Sequence, residues 1–123
     1  MNSSNDIIFG ITGIFASIMG YAKERGKLEK LMKIVGLNVY NEKNLAIMVD
    51  SHEKYSHTIR ILKNKEPDAF TAMYTNDLQE VKDARKAVKE SETDETRQSN
   101  FILYRDVLLR ALEHAIKVTQ EFV

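Results

Sequence analysis

The chain has 123 residues, with 18 Lys plus Arg balanced by 18 Asp plus Glu, and it contains no cysteine. That length holds one compact unit, the neutral balance offers no global attraction to nucleic acid, and the missing thiols exclude disulfides, thiolate zinc sites and cysteine nucleophiles together. A single proline, Pro67, and no glycine after Gly36 leave too few turn signals for a β-rich fold, so the composition predicts an all-α chain of long helices.

The first predicted element opens at Asn5 or Asp6, whose side chains can cap a helix. It runs through a nearly uncharged apolar stretch, Ile7 to Ala22. Gly10, Gly13, Ser17 and Gly20 recur there at spacings of three, four and three. On a helix they form one smooth stripe, with bulky apolar side chains around the rest. In water each interior glycine costs about 1 kcal/mol against alanine, whereas in lipid such a stripe lets helices approach closely. A self-associating transmembrane helix is therefore expected, with Gly10, Thr12, Gly13, Ser17 and Gly20 as its packing or pore-lining residues.

Sixteen residues rise about 24 Å, short of a hydrocarbon core of about 30 Å. Tyr21 as an interfacial aromatic, with Lys23, Arg25 and Lys27 reaching towards headgroups, would lengthen the effective span. The stretch Lys23 to Gly36 holds five cations against two carboxylates, while only Asp6 precedes it. That asymmetry predicts an inner-membrane protein with its amino terminus outside and the remainder in the cytoplasm. The amino terminus lacks the cationic start of a cleaved signal.

Leu28, Leu31, Met32 and Val35 carry the helical pattern onward to a stop at Gly36 in left-handed geometry. One helix from Asp6 to Val35 is expected. Its juxtamembrane residues are Lys23, Glu24, Arg25 and Lys27, with Glu24 of one copy pairing with Lys27 of another. The expected organisation is a membrane helix over residues 1–22, a basic extension over 23–36 and a helical bundle over 37–123.

A second helix is predicted from Glu42 to Lys63 on the heptad seam Leu45, Met48, His52, Tyr55, Ile59 and Leu62. A third starts at Pro67, which suits a first helical turn, and reaches Glu90 with Phe70, Met73, Tyr74, Leu78, Val81, Ala84 and Val88 inward. Ser91 to Thr96 reads as a polar, mobile linker. The fourth helix runs from Arg97 to Phe122 on Phe101, Tyr104, Leu108, Ala111, Ala115, Val118 and Phe122. Ile102, Leu109, Leu112 and Ile116 widen its apolar face, which calls for partners on two sides: helix one or another subunit.

Chemistry-bearing clusters are few. His52 and His57 stand five apart and diverge by about 140° on a helix, so they do not form a two-histidine zinc motif. His52, on the seam, is expected to bond a buried neighbour or a subunit partner. Arg110, Glu113 and His114 could do acid–base work in a cleft but read more simply as a surface ion-pair face. No phosphate loop, nucleophile elbow or paired-carboxylate signature occurs, so neither an enzyme, a metal site nor a cofactor is expected. Arg60, Lys63, Lys82, Arg85, Lys86 and Lys89 form a candidate patch for a small anionic ligand such as a nucleotide or phosphate. Glu80, Asp83 and Glu90 interleave with it and favour ordinary pairing along a solvated helix face.

A glycine-spaced apolar helix running into Lys and Arg, as Gly10 to Lys27 does, resembles the layout of small bacterial single-pass membrane proteins. Antiphage membrane effectors are among them. The resemblance covers about the first 30 residues and implies a cytosolic domain that senses a nucleotide or protein regulator while the helices conduct ions. The functional expectation is a membrane-anchored homo-oligomer, with an ion-conducting pore controlled by the bundle as its sharper form. The competing expectation is a soluble helical interaction module, an adaptor or inhibitor, that buries Ile7–Ala22 as its own core.

Overall fold

A computed structural model describes residues 20–123, and every regular element among them is helical. Gly10, Thr12, Gly13 and Ser17, with the rest of the predicted membrane segment before Gly20, lie outside the described residues. Among the described residues no helix is long and apolar enough to cross a membrane.

Helix α1 covers residues 20–34. Leu28, Leu31 and Val35 are buried in the same core cluster as the later helices, so the stretch 23–36 is a working wall of the bundle. Three expectations change here. Tyr21 does not sit free at an interface: it is buried, stacked on Phe122 at 5.1 Å between ring centroids, with the Lys65 ammonium 5.5 Å from its ring centre. Gly20, the last member of the stripe, faces Lys65 of the same chain, and a Cβ there would collide with that ammonium. Glu24 is buried and accepts from Lys27 of its own helix at 3.2 Å, three residues on, while its second oxygen has no partner among the described residues. Arg25 likewise pairs within the helix, with Glu29 at 3.5 Å, while Lys23 is exposed.

No described glycine has a positive φ, so α1 ends without the left-handed stop expected at Gly36. Side chains from far along the chain hold the exit instead. Gln98 accepts from the Tyr40 amide at 2.7 Å and donates to the Asn38 carbonyl at 2.9 Å. Arg105 donates to Asn38 Oδ1 at 2.6 Å and to the Leu37 carbonyl at 3.3 Å.

Helix α2 spans Glu42–Lys65, opened by Asn41, whose side chain accepts from the Asn44 amide at 2.7 Å. Of its predicted seam, Met48, His52, Tyr55, Ile59 and Leu62 are buried, and Leu45 is half-buried. The expected third helix is one continuous rod of three pieces: α3 (Pro67–Ala72), a π turn (Met73–Asp77) and α4 (Leu78–Lys89). The π turn has a sequence cause. Met73 and Leu78 both belong inside, yet five residues of α-helix would set them about 140° apart. Widening the turn so that the Leu78 amide bonds the Met73 carbonyl brings both side chains to the core.

Helix α5 covers Asp94–Thr119 and continues as a short 3₁₀ turn, Gln120–Phe122. The expected mobile linker shrinks, because Thr93 caps α5 by accepting from the Thr96 amide at 3.1 Å. Ser91 is tied down as well: it donates to the Ala87 carbonyl at 2.8 Å and accepts from Asn100 at 2.9 Å. The wide face of α5 is largely used within the chain. Phe101, Tyr104, Leu108 and Leu112 are fully buried, while Ile102, Leu109 and Ile116 pack half-buried against the cluster. The described residues thus form a four-helix bundle with one continuous core.

Candidate anion-binding cleft

The inner seams of α2 and α4 leave a second stripe beside each. On α2 this stripe is Glu53, Ser56, His57 and Arg60; on α4 it is Lys82, Arg85, Lys86 and Lys89. Both follow three- and four-residue spacing, so each makes one band along its helix. Packing Tyr55 and Ile59 of α2 into the same core as Val81, Ala84 and Val88 of α4 turns the bands towards each other. They line one cleft of about 860 Å³, with His52 contributing to it from the core side and Glu90 completing the lining.

Five of the six cations of the predicted anionic-ligand patch line this cleft: Arg60 from α2 and Lys82, Arg85, Lys86 and Lys89 from α4. The sixth, Lys63, does not, because its ammonium lies over the Tyr74 ring, 4.3 Å from the centroid. The pairing expected from interleaved acids is sparse. Lys86 meets Glu90 at 3.8 Å, whereas Asp83 accepts from Gln79 at 2.9 Å and Glu80 lines a separate dent with Asp77. Among the described residues, Arg60, Lys82, Arg85 and Lys89 have no carboxylate partner within 4 Å.

His52 is 4% exposed, and its Nδ1 lies 2.7 Å from the Tyr104 hydroxyl of α5, the buried neighbour its seam position called for. Burial above all, then the positive charges of Arg85 and Lys82, push its pKa from the ordinary 6.5 down to about 4. The imidazole is therefore neutral at pH 7. Burial raises the Tyr104 hydroxyl far above the ordinary tyrosine value, so it stays protonated. His57 is exposed and five residues from His52, and it lines the same cleft.

Two further features flank the cleft. A second cavity of about 490 Å³ between α1 and α2 takes in Lys27, Lys30 and Ile34, and shares Glu53 and His57 with the first. On another face, His114 pairs with Asp77 at the end of the π turn, Nδ1 to Oδ2 2.6 Å, beside Arg110. Its partner is thus the remote Asp77, and Glu113 takes no part in that group.

Sequence reasoning found the cations but missed Glu53, Ser56, His57 and Glu90 as lining, and treated His52 as core alone. The signal was present: positions one step round from each apolar seam share a face with their counterparts on a neighbouring helix. Which helices are neighbours was not in the pattern.

No protein-family model, curated protein or solved structure matches the chain. Fold and site alone define the class: an all-helical bundle with a basic cleft between two of its helices.

Proposed function

We propose that the protein is a non-enzymatic binding module that takes a phosphate-bearing anion into the α2/α4 cleft and is held at a membrane by the apolar run that opens at Ile7 and precedes the bundle core. The observation that carries the first half is the convergence of Arg60, Lys82, Arg85 and Lys89, from two helices, on one cleft, none of them within 4 Å of a carboxylate among the described residues. Like charges held together oppose folding, and an anion bound among them removes that repulsion. Arginine and lysine together favour phosphate, one by its planar fork and the other as a point charge.

The membrane half rests on the apolar run itself. It stands immediately before a bundle whose described core begins at Tyr21, with cations on the following turns. The bundle is then on the cytoplasmic side, by the excess of Lys and Arg after the run. The spacing of Gly10, Gly13 and Ser17 in the sequence suits self-association, so a homo-oligomer is part of the reading, while Gly20 lies against Lys65. A ligand that prefers one arrangement of α2 against α4 would shift the population of that arrangement.

The test uses the full chain in mild detergent. Thermal unfolding is followed with inorganic tripolyphosphate and with sodium chloride at matched ionic strength. Ligand at about 100 times its Kd should stabilise the fold by about 2.7 kcal/mol. The double variant Lys82→Glu/Arg85→Glu should show no such gain. Equal effects of the two salts would remove the binding proposal. For the tether, release from the membrane pellet by detergent but not by carbonate is expected, and a protein found wholly in the supernatant would remove it.

A further inference from the structure

The cleft has a buried polar floor as well as charged walls, and that floor points to how a ligand is read. His52 is more than nine-tenths buried and lines the cleft, yet only its Nδ1 has a protein partner. The Tyr104 hydroxyl is fully buried and its one side-chain partner among the described residues is that Nδ1. If Nδ1 carried the proton and donated to tyrosine, the hydroxyl hydrogen would be stranded in the core. An unmet buried donor costs on the order of 1–3 kcal/mol. The arrangement that satisfies both groups has the hydroxyl donating to Nδ1, which puts the imidazole proton on Nε2. Nε2 finds no partner among the described residues, and the open side of the ring is the cleft.

Above this floor the cations are spread out. Lys82 and Lys89 are seven residues apart on α4, a rise of about 10 Å, and Arg60 stands across from them on α2. A single phosphate meets both ends only if the two lysine side chains fold towards it. A chain of phosphates spans the band without that, with one phosphoryl oxygen reaching inward.

Resting on the proposed anion-binding role, we infer that His52 is a ligand-reading residue: Tyr104 holds Nε2–H towards the cleft, where it donates to a phosphoryl oxygen of an oligophosphate chain lying along Lys82, Arg85 and Lys89. The same chain chemistry occurs in a nucleoside triphosphate and in inorganic oligophosphate. The arginine and lysine walls supply attraction to any polyanion, while the floor donor selects a chain able to place an oxygen deep between α2 and α4.

The experiment uses the full chain in detergent, titrated calorimetrically with inorganic tripolyphosphate and, separately, with adenosine triphosphate. Wild type should bind, and tighter binding of either probe assigns the source of the chain. His52→Asn keeps an acceptor near Nδ1 but not the donor, and should weaken binding about tenfold, the scale of one charge-assisted hydrogen bond. His52→Gln, which places an amide donor near Nε2, should recover most of it. Nitrogen-15 spectra of labelled histidine in the wild type provide a reading independent of any variant's folding: Nε2 should carry the proton and its signal should move on addition of tripolyphosphate. A proton on Nδ1, or an unmoved Nε2 in a protein that binds, overturns the role of His52 while leaving the basic cleft intact. Absence of binding by the wild type overturns the cleft reading and this inference with it.

Discussion

Acidification should destabilise this protein through one buried histidine, and the size of the effect follows from the site. In the folded chain His52 holds its proton only below about 4, against 6.5 in the unfolded chain, because burial and the nearby Arg85 and Lys82 disfavour the imidazolium. Between those two values the unfolded chain binds a proton that the native chain refuses. The contribution is fully present above pH 6.5, falls as pH falls, and is fully lost by about pH 4. Each tenfold difference in proton affinity is worth about 1.36 kcal/mol, so the whole interval is worth on the order of 3 kcal/mol and the part lost by pH 5 about 2 kcal/mol. Urea unfolding of the full chain, followed by far-ultraviolet circular dichroism at pH 7 and pH 5, measures the loss. His52→Asn supplies the control, since it cannot titrate and retains an acceptor for Tyr104. The variant should lose about 2 kcal/mol less than wild type between the two pH values. Parallel losses in the two proteins would show that His52 is not the buried neutral group described here, and would remove the physical basis of the cleft floor.

Three other outcomes test the packing. The Tyr55 hydroxyl is buried with no partner, so Tyr55→Phe should be neutral or stabilising by up to about 1 kcal/mol, whereas Tyr104→Phe, which strands His52 Nδ1, should destabilise by about 1–2 kcal/mol; chemical denaturation compares them directly. Gln98→Ala removes two of the hydrogen bonds that hold the 38–40 segment, and should cost about 1–2 kcal/mol and speed amide exchange at Tyr40. Deleting the exposed Thr75 converts the five-residue step between Met73 and Leu78 into four, which an ordinary α-helix keeps on one face, so the thermal midpoint should change little. Deleting the equally exposed Gln79 instead keeps the five-residue step, so the rod must either turn Val81, Ala84 and Val88 by about 100° or relax the π turn and expel Leu78, and the thermal midpoint should fall.

Much of the helical content was legible because burial follows the helical period. The α2 seam of Met48, His52, Tyr55, Ile59 and Leu62 needs no partner to be recognised, and neither does the apolar edge of α4. Local chemistry also marked boundaries, as Pro67 does at the start of α3. The failures share one cause. Tyr21 looked like an interfacial aromatic because nothing local says that Phe122, about a hundred residues away, will stack on it. Gly36 looked like a left-handed stop, but Gln98 and Arg105 restrain the chain there without it. The polar Ser91–Thr96 segment looked mobile although Thr93 offers a local cap, because the bond of Ser91 to Asn100 depends on how α4 and α5 pack.

The same division holds for the site. Sequence alone determined that Arg60, Lys82, Arg85, Lys86 and Lys89 occupy the polar flanks of two amphipathic helices, since helical periodicity sets where each side chain leaves its own axis. It also determined the apolar character of residues 7–22 and the neutral overall charge. Only the tertiary structure decided that the two flanks face each other, that Lys63 turns away to Tyr74, and that His52 meets Tyr104 beneath the cations. Those relations join residues up to about fifty positions apart. They arise when separate helices bury their seams in one core, a step that fixes the rotation of each helix and that no local pattern encodes.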